Sequence, residues 1–206
     1  MPPDFSHELA WLAQNAGRVA GVDEAGRGPL AGPVAAAAVI LNPHDIPDGL
    51  DDSKKLSARA RDGLYDMIMA RALCVSVSLM PPSVIDNINI RAASLQAMRQ
   101  AVAALWLKPG FVLIDGRDVP PGLRCPSRTI IGGDGLSLSI AAASIIAKVT
   151  RDRLMQRLDR NAPEYGFSAH AGYCTARHRA AIAAHGCTPW HRMSFAPMHG
   201  KPLCPG

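Results

Sequence analysis

Residues 18–41 read RVAGVDEAGRGPLAGPVAAAAVIL. Arg18–Val22 is a short apolar run that ends in Asp23-Glu24 and then Gly26-Arg27-Gly28-Pro29. That is how a strand stops at a glycine-rich turn. Pro33–Leu41 reads as a second strand, and its four consecutive alanines, Ala35–Ala38, demand tight packing on at least one face.

Outward from this pair, Asn42-Pro43 and Ile46-Pro47-Asp48-Gly49 break the chain. Ser57 is placed to cap a helix reaching about Ala72, with Leu64, Met67 and Ile68 on one face. Cys74–Leu79 alternates Val75, Val77 and Leu79 as a third strand, interrupted by Met80-Pro81-Pro82-Ser83. A helix from about Asn89 to Leu107 carries Leu95, Met98, Val102 and Leu105 as a buried stripe and ends at Lys108-Pro109-Gly110. Phe111–Ile114 and Arg128–Ile131 are short strands that run into Asp115-Gly116 and Gly132-Gly133-Asp134-Gly135. From about Ser137 to Arg160 the pattern is one long helix, small and apolar first, basic later. Tyr165–Thr175 reads as loop, Thr175–His185 as a short helix, and the proline-containing remainder as irregular. The order β-β-α-β-α-β-β-α predicts an α/β fold, a mixed five-stranded sheet flanked by helices. With no repeat or low-complexity linker, a single domain over 1–206 is expected.

The acids fall where the strands end. Asp23-Glu24 and Asp115 each stop an apolar strand at glycine, and Asp134 sits in a glycine turn before the long helix. If the first and fourth strands are neighbours, Asp23 and Asp115 converge, and the helix start brings Asp134 alongside. Clustered carboxylates repel one another unless divalent cations neutralise them. An all-oxygen set selects hard ions, Mg²⁺ or Mn²⁺, and a two-metal arrangement suits phosphodiester cleavage. A lone acid at a strand end is an ordinary turn residue; four on a basic chain are not. One tension stands: neighbouring strand residues point to opposite faces, so Asp23 and Glu24 share a site only if the strand twists or ends between them.

Composition bounds the partners. Of 206 residues, 48% are hydrophobic and 19% charged, which excludes overall disorder. A chain this long buries roughly 70% of its unfolded surface without needing disulfide or zinc staples. Mean hydropathy is +0.06, and the longest apolar run is far short of the ~20 residues that span a bilayer. Met1–Gln14 has no Lys or Arg, so no signal peptide and a cytoplasmic location are expected. The five cysteines are widely spaced with no C-x-x-C, which fits free thiols. Net charge is +5, unevenly placed: residues 1–52 hold two basic and eight acidic residues, whereas 53–206 hold twenty and nine. A basic body around a carboxylate site fits a polyanion substrate.

The stretch Gly21–Val34 resembles the signature of type 2 ribonuclease H (ribonuclease HII). Four further blocks match in order: Asp52–Leu56, Leu113–Gly116, Ala142–Asp152 and His170–Tyr173. The resemblance covers about 18–196. It implies a ribonuclease H-like fold, a divalent metal, and endonucleolytic hydrolysis of the RNA strand of RNA–DNA hybrids. It also implies nicking of DNA duplexes 5′ to embedded ribonucleotides, leaving 5′-phosphate and 3′-hydroxyl ends, and so removal of misincorporated ribonucleotides from DNA. Carried over, it assigns Asp23, Glu24, Asp115 and Asp134 as metal-binding catalytic acids. Gly26, Arg27 and Gly28 would hold the ribonucleotide, with backbone groups reading the 2′-hydroxyl that separates RNA from DNA. Read alone, that segment is more simply a plain tight turn. Tyr173 matches the tyrosine that packs on the sugar following the ribonucleotide. Lys54, Lys55 and Lys148 are candidate phosphate contacts, a solvated face being an equal reading of each taken alone. Two positions depart from the family pattern, Gly132 and Ala171, where many members carry lysine or a similar residue.

Cys174-x₃-His178 and Cys187-x₃-His191 have a superficial zinc spacing, set aside because a zinc there would constrain the groove beside Tyr173. A type 3 ribonuclease H usually carries an extra N-terminal domain, and only 17 residues precede the first strand. A silent nucleic-acid-binding module is disfavoured because clustered acids would only repel phosphates. No replication-clamp motif is evident in Phe195–Gly206, and a monomer is expected because a long duplex must reach the cleft.

Overall fold

The computed structural model describes residues 2–198; His199, Cys204 and the end of the stretch read for a clamp motif lie outside the described residues. The elements in order are α1 (Ser6–Leu12), β1 (Val19–Ala25), β2 (Val34–Ile40), α2 (Ala58–Arg71), β3 (Cys74–Met80), α3 (Pro82–Ile88) and α4 (Ile90–Ala104). They continue with β4 (Phe111–Asp115), β5 (Ser127–Ile130), α5 (Leu138–Asn161), α6 (Phe167–His170) and α7 (Ala176–His185). The sheet order is β3-β2-β1-β4-β5. β1–β2 and β2–β3 are antiparallel, whereas β1–β4 and β4–β5 are parallel. The expected mixed sheet of five strands is therefore present, with its first and fourth strands adjacent.

Side-chain alternation sorts the sheet onto two helical layers. Ala20, Val22, Ala36, Ala38 and Ile114 pack with Ala97, Met98 and Val102 of α4. The intervening Ala37 and Val39 pack with Leu64 and Ile68 of α2 and the Ala141–Ala147 segment of α5. Ala35–Ala38 are all fully buried, so the alanine run marks a strand covered on both faces. Polar caps start the helices. Ser57 Oγ accepts from the Ala60 amide at 3.2 Å, and Ser137 Oγ from the Ile140 amide at 3.3 Å. Asn89, at φ 67°, accepts from the Ala92 amide and opens α4. No helix among the described residues is long and apolar enough to cross a membrane.

Three short helices, α1, α3 and α6, go beyond the sequence reading, and α6 lies inside the stretch read as loop. Pro82 sits in the first turn of α3, where its missing N–H costs nothing. Asp86 of α3 then accepts from the amides of Met193 and Ser194, both at 2.9 Å, anchoring the C-terminal segment. Glu8 of α1, fully buried, accepts from Ser137 Oγ at 2.6 Å and from the Ser139 amide at 2.9 Å, staking α1 to the start of α5. In the 165–175 stretch, α6 is a single turn between Gly166 and Ala171, both in the left-handed region. Its Phe167 joins Leu30, Met155, Tyr165 and Ile182 in a separate apolar cluster.

β1 passes close against the start of α5 at Gly21. A Cβ at Gly21 would fall inside the backbone carbonyl of Ser139, which no side chain can relieve. Gly21→Ala is expected to lower stability by about 3 kcal/mol or more. Gly63 in α2 has open space around it, so Gly63→Ala should raise stability by about 1 kcal/mol. Thermal or urea unfolding of the two variants checks both signs.

Candidate active site

The parallel ladder between β1 and β4 ends at Val22↔Ile114. Beyond it β1 stays with β2, pairing Asp23↔Ala37 and Glu24↔Ala36, while β4 stays with β5, pairing Asp115↔Ile130. The central strands part where the acids begin. This is the carboxyl end of parallel strands, where open α/β sheets bind ligands. Asp23 and Asp115 fall on the α5 side of the sheet, and Glu24 on the α4 side beside Ser94 and Met98. β1 does not end between Asp23 and Glu24, one of the two ways the alternation argument allowed, but runs on to Ala25. What lets both acids line one cavity is the departure of β4, which leaves the edge of β1 open.

That cavity, of about 430 Å³, is walled by Asp23, Glu24 and Asp115, by the Gly26–Gly28 turn, and by Lys54, Lys148, Arg151 and Tyr173. A second hollow of about 510 Å³ lies at the other end of β1, lined by Phe5, Leu12, Val19 and Leu41. It contains no carboxylate, so the chemistry favours the acidic cavity. Asp115 is held by the Gly133 amide, which donates to Oδ1 at 2.7 Å. Asp134, next in that glycine turn, is buried and meets Lys54 Nζ at 3.4 Å. Lys148 spans the wall to Asp152 at 2.8 Å. Lys55 turns outward to Asp51 at 3.0 Å and does not line the cavity.

The acids are electrostatically uncomfortable. Burial, then the charges of Glu24 and Asp115, pushes the Asp23 carboxyl well above its usual range. Glu24 is raised by burial and by Asp115, against the pull of Arg27 at 3.3 Å. Asp134 is raised by burial despite Lys54. Among the described residues no three acidic, histidine or cysteine groups close into a ready metal cage. The donor set nevertheless fits a hard divalent cation. It is all oxygen, it sits on a parting strand edge, and its mutual repulsion is what a cation would relieve.

The turn beside the acids is held from behind by two buried guanidiniums. Arg192 donates to the carbonyls of Gly26 at 2.6 Å, Arg27 at 2.8 Å and Gly32 at 3.0 Å. Arg151 donates to Pro33, Ala31 and Ala171, each at 3.0 Å. A Cβ at Gly26 (φ 93°) would run into the Arg151 side chain, so glycine is required there on two counts. Sequence reasoning missed the two arginines, Ser53 and Ser144. Arg151 and Ser144 lie in the Ala142–Asp152 block and could have been found there; Arg192 carries no local signal. The ring of Tyr173 is about half exposed and faces Gly28, whose Cβ would meet it at 3.6 Å. His178 and His191 hydrogen-bond to each other at 3.1 Å.

Comparison with known proteins gives one answer. The family model for ribonuclease HII matches residues 20–198. The ribonuclease HII of Brucella ovis is 54% identical over 205 residues, covering 99% of this chain and 93% of that protein. The crystal structure of ribonuclease H2 from Pyrococcus horikoshii OT3 superposes with a TM-score of 0.77 at 28% identity, covering 88% of this chain and 95% of that one. A structure of the PCNA:RNase HII complex from Archaeoglobus fulgidus superposes at 0.74 and 27% identity, covering 86% and 95%.

The raised Asp23 carboxyl has a measurable sign. Its charged form is disfavoured in the fold, so without divalent metal Asp23→Asn should melt at or above the wild-type temperature near neutral pH. The gap should narrow as pH falls, because protonation discharges the wild-type residue. With Mn²⁺ present the order should reverse, since a ligand that binds only the folded state raises its stability and the variant has lost a donor. Melting curves across pH, with and without Mn²⁺, check this.

Proposed function

This chain belongs to the ribonuclease HII family, and from that premise we propose that it nicks DNA duplexes on the 5′ side of embedded ribonucleotides. It is a metal-dependent endonuclease, a ribonuclease H acting on RNA–DNA hybrids. The single-ribonucleotide activity rests on one observation: Asp23, Glu24 and Asp115, the Gly26–Gly28 turn and the exposed Tyr173 ring share the walls of one cavity, with Asp134 outside its lining.

Asp23, Glu24 and Asp115 are the proposed ligands of the divalent ion, Mg²⁺ or Mn²⁺, with Asp134 completing the set from the glycine turn. When bound, the ion supplies charge neutralisation and Lewis-acid polarisation at the scissile phosphate. The chain's own groups then set where cleavage falls. Backbone groups of Gly26, Arg27 and Gly28, stiffened by the carbonyl bonds to Arg192, read the 2′-hydroxyl. Arg27 is half-exposed and leans on Glu24, placing a cation beside the scissile region. Lys54 and Lys148 reach phosphates from the cavity wall, and Lys55 does so from the rim. The Tyr173 ring packs on the next sugar, where a 2′-hydroxyl would crowd it. Products are a 5′-phosphate and a 3′-hydroxyl. The enzyme acts as a single-domain monomer in the cytoplasm, open to a long duplex. The Archaeoglobus relative is described bound to PCNA; no clamp motif in 195–206 supports carrying that partner over.

The test is a DNA duplex with one embedded ribonucleotide, incubated with Mg²⁺ or Mn²⁺ and mapped at nucleotide resolution; the expected result is a nick 5′ to the ribonucleotide. Cleavage of long RNA tracts alone would overturn the proposal. Asp23→Asn and Asp115→Asn should each lower turnover roughly 10³-fold or more while duplex binding persists. Near-normal turnover of Asp115→Asn at saturating metal would remove it from the site. Affinity should also fall steeply with ionic strength, as phosphate contacts release counterions; a flat salt dependence would place the basic charge away from the substrate.

A further inference from the structure

We propose that His178 and His191 are positioning residues that set the distance between Tyr173 and the Gly26–Gly28 turn, and so tune selectivity for an RNA–DNA junction. The proposal rests on the reading of Tyr173 given above.

The hydrogen bonds fix the proton positions. The Thr188 amide donates to His191 Nδ1 at 2.9 Å, so that nitrogen is an acceptor. A neutral His191 then carries its proton on Nε2, which faces His178 Nε2 at 3.1 Å. His178 Nε2 must accept, which leaves its proton on Nδ1, 2.9 Å from the Tyr173 carbonyl oxygen. Thr188 Oγ1 also lies 2.9 Å from His191 Nδ1, and the Tyr173 carbonyl also accepts from the Thr175 amide at 2.8 Å; between these ends the imidazoles form a one-directional relay from Thr188 to Tyr173. Both rings are shut from solvent among Tyr165 and Phe167, with centroids 5.1 to 5.8 Å away. Burial holds both imidazoles below their ordinary pKa, His191 at about 4, which keeps the neutral tautomers the relay requires.

The far end of the relay is tied to the turn. His191 bridges Ala31, the Gly32 amide donates to the Trp190 carbonyl, and the Arg192 amide donates to the Leu30 carbonyl, both at 2.8 Å. The next side chain, Arg192, grips the carbonyls of Gly26 and Arg27. On the other side the Leu30 amide donates to the Gly172 carbonyl at 2.8 Å. The 2′-hydroxyl reader and the junction tyrosine therefore hang from one frame, and the histidine pair is its side-chain strut. Nothing in the reaction uses these imidazoles directly. They lie behind the backbone of Tyr173 and do not line the cavity.

The experiment measures kcat and KM on two substrates, a duplex with one ribonucleotide and a hybrid with a continuous RNA strand. The ratio of their kcat/KM values is the readout, with melting temperature in parallel. His178→Phe keeps a ring but removes both bonds. It should cut the ratio about 10-fold through KM on the single-ribonucleotide duplex, because small misplacements of positioning groups carry penalties of this order. His178→Asn, whose amide can replace the Nδ1 donor, should restore most of the loss. In a Tyr173→Ala background His178→Phe should change the ratio no further. Equal losses on both substrates, failure of His178→Asn to restore, or a further loss beside Tyr173→Ala would overturn the proposal. If His178→Phe does not fold, His191→Leu against His191→Gln makes the same comparison, since glutamine retains the Nε2-like donor. A Tyr173→Ala ratio equal to wild type would overturn the Tyr173 reading and this proposal with it; loss in Tyr173→Ala but none in His178→Phe would overturn the relay alone.

Discussion

Two buried guanidiniums with no ion pair among the described residues hold the working end of this molecule together. Arg151 and Arg192 give their described hydrogen bonds to six backbone carbonyls, five of them in the 26–33 segment. A buried cation is costly unless its donors are satisfied, and burial and the nearby Arg151 charge both work against the Arg192 cation. The compensation is geometric: a planar fork of donors matches carbonyls that a glycine-rich loop can turn inward. Neither side is content without the other, because the loop's carbonyls would be buried without partners and the arginines would be buried charges. That mutual need fixes a loop which carries almost no side chains of its own to pack.

The same arrangement places positive charge close behind the acids. Arg151 lines the cavity that Asp23 faces, yet it spends its donors on carbonyls and forms no ion pair with the carboxylates. Lys54 leans on Asp134, and Arg27 on Glu24, whereas among the described residues the buried Asp23 has no ion pair, and the Glu24 amide and the Ser144 hydroxyl favour its charge. The fold thus supplies cations to the rim and withholds them from the centre. A site built this way keeps its deepest carboxylate available to a metal, since no lysine or arginine among the described residues forms an ion pair with it.

Much of this was legible in the residue pattern. The strands around residues 18–41, the tight packing of Ala35–Ala38 on at least one face, the Ser57 cap and the long α5 follow from period, propensity and capping, all local signals. Convergence of Asp23 with Asp115 needed only the adjacency of β1 and β4. What was not legible depends on partners far along the chain. α3 is a helix of seven residues with proline at its start, whose use is to present Asp86 to Met193. Arg192 looks like any basic residue in a proline-containing tail until it meets Gly26, 166 positions earlier. The Cys174–His178 and Cys187–His191 spacing drew attention for the wrong chemistry: the histidines do meet, but as hydrogen-bond partners. Ala171 shows the same limit. It departs from the family at its side chain, whereas its part here is played by a carbonyl that accepts from Arg151 and a backbone at φ 48°.

The two halves of the cavity obey opposite rules, and the reaction needs both. The acidic half is left electrostatically unsatisfied, so that a cation and a phosphate gain free energy by entering. The reading half is braced, with the carbonyls of Gly26, Arg27, Leu30, Ala31 and Gly32 and those of 170–173 given partners, because telling one sugar from the next depends on the absence or presence of a single oxygen. A soft reading wall would yield to that oxygen instead of rejecting it. A stiff acidic wall, with its charges already paired inside the protein, would have no reason to bind metal. Parting β1 from β4 makes the first half, and crossing the 26–33 loop with the 188–192 segment makes the second. Asp23 and Gly26, three residues apart, are where the two meet.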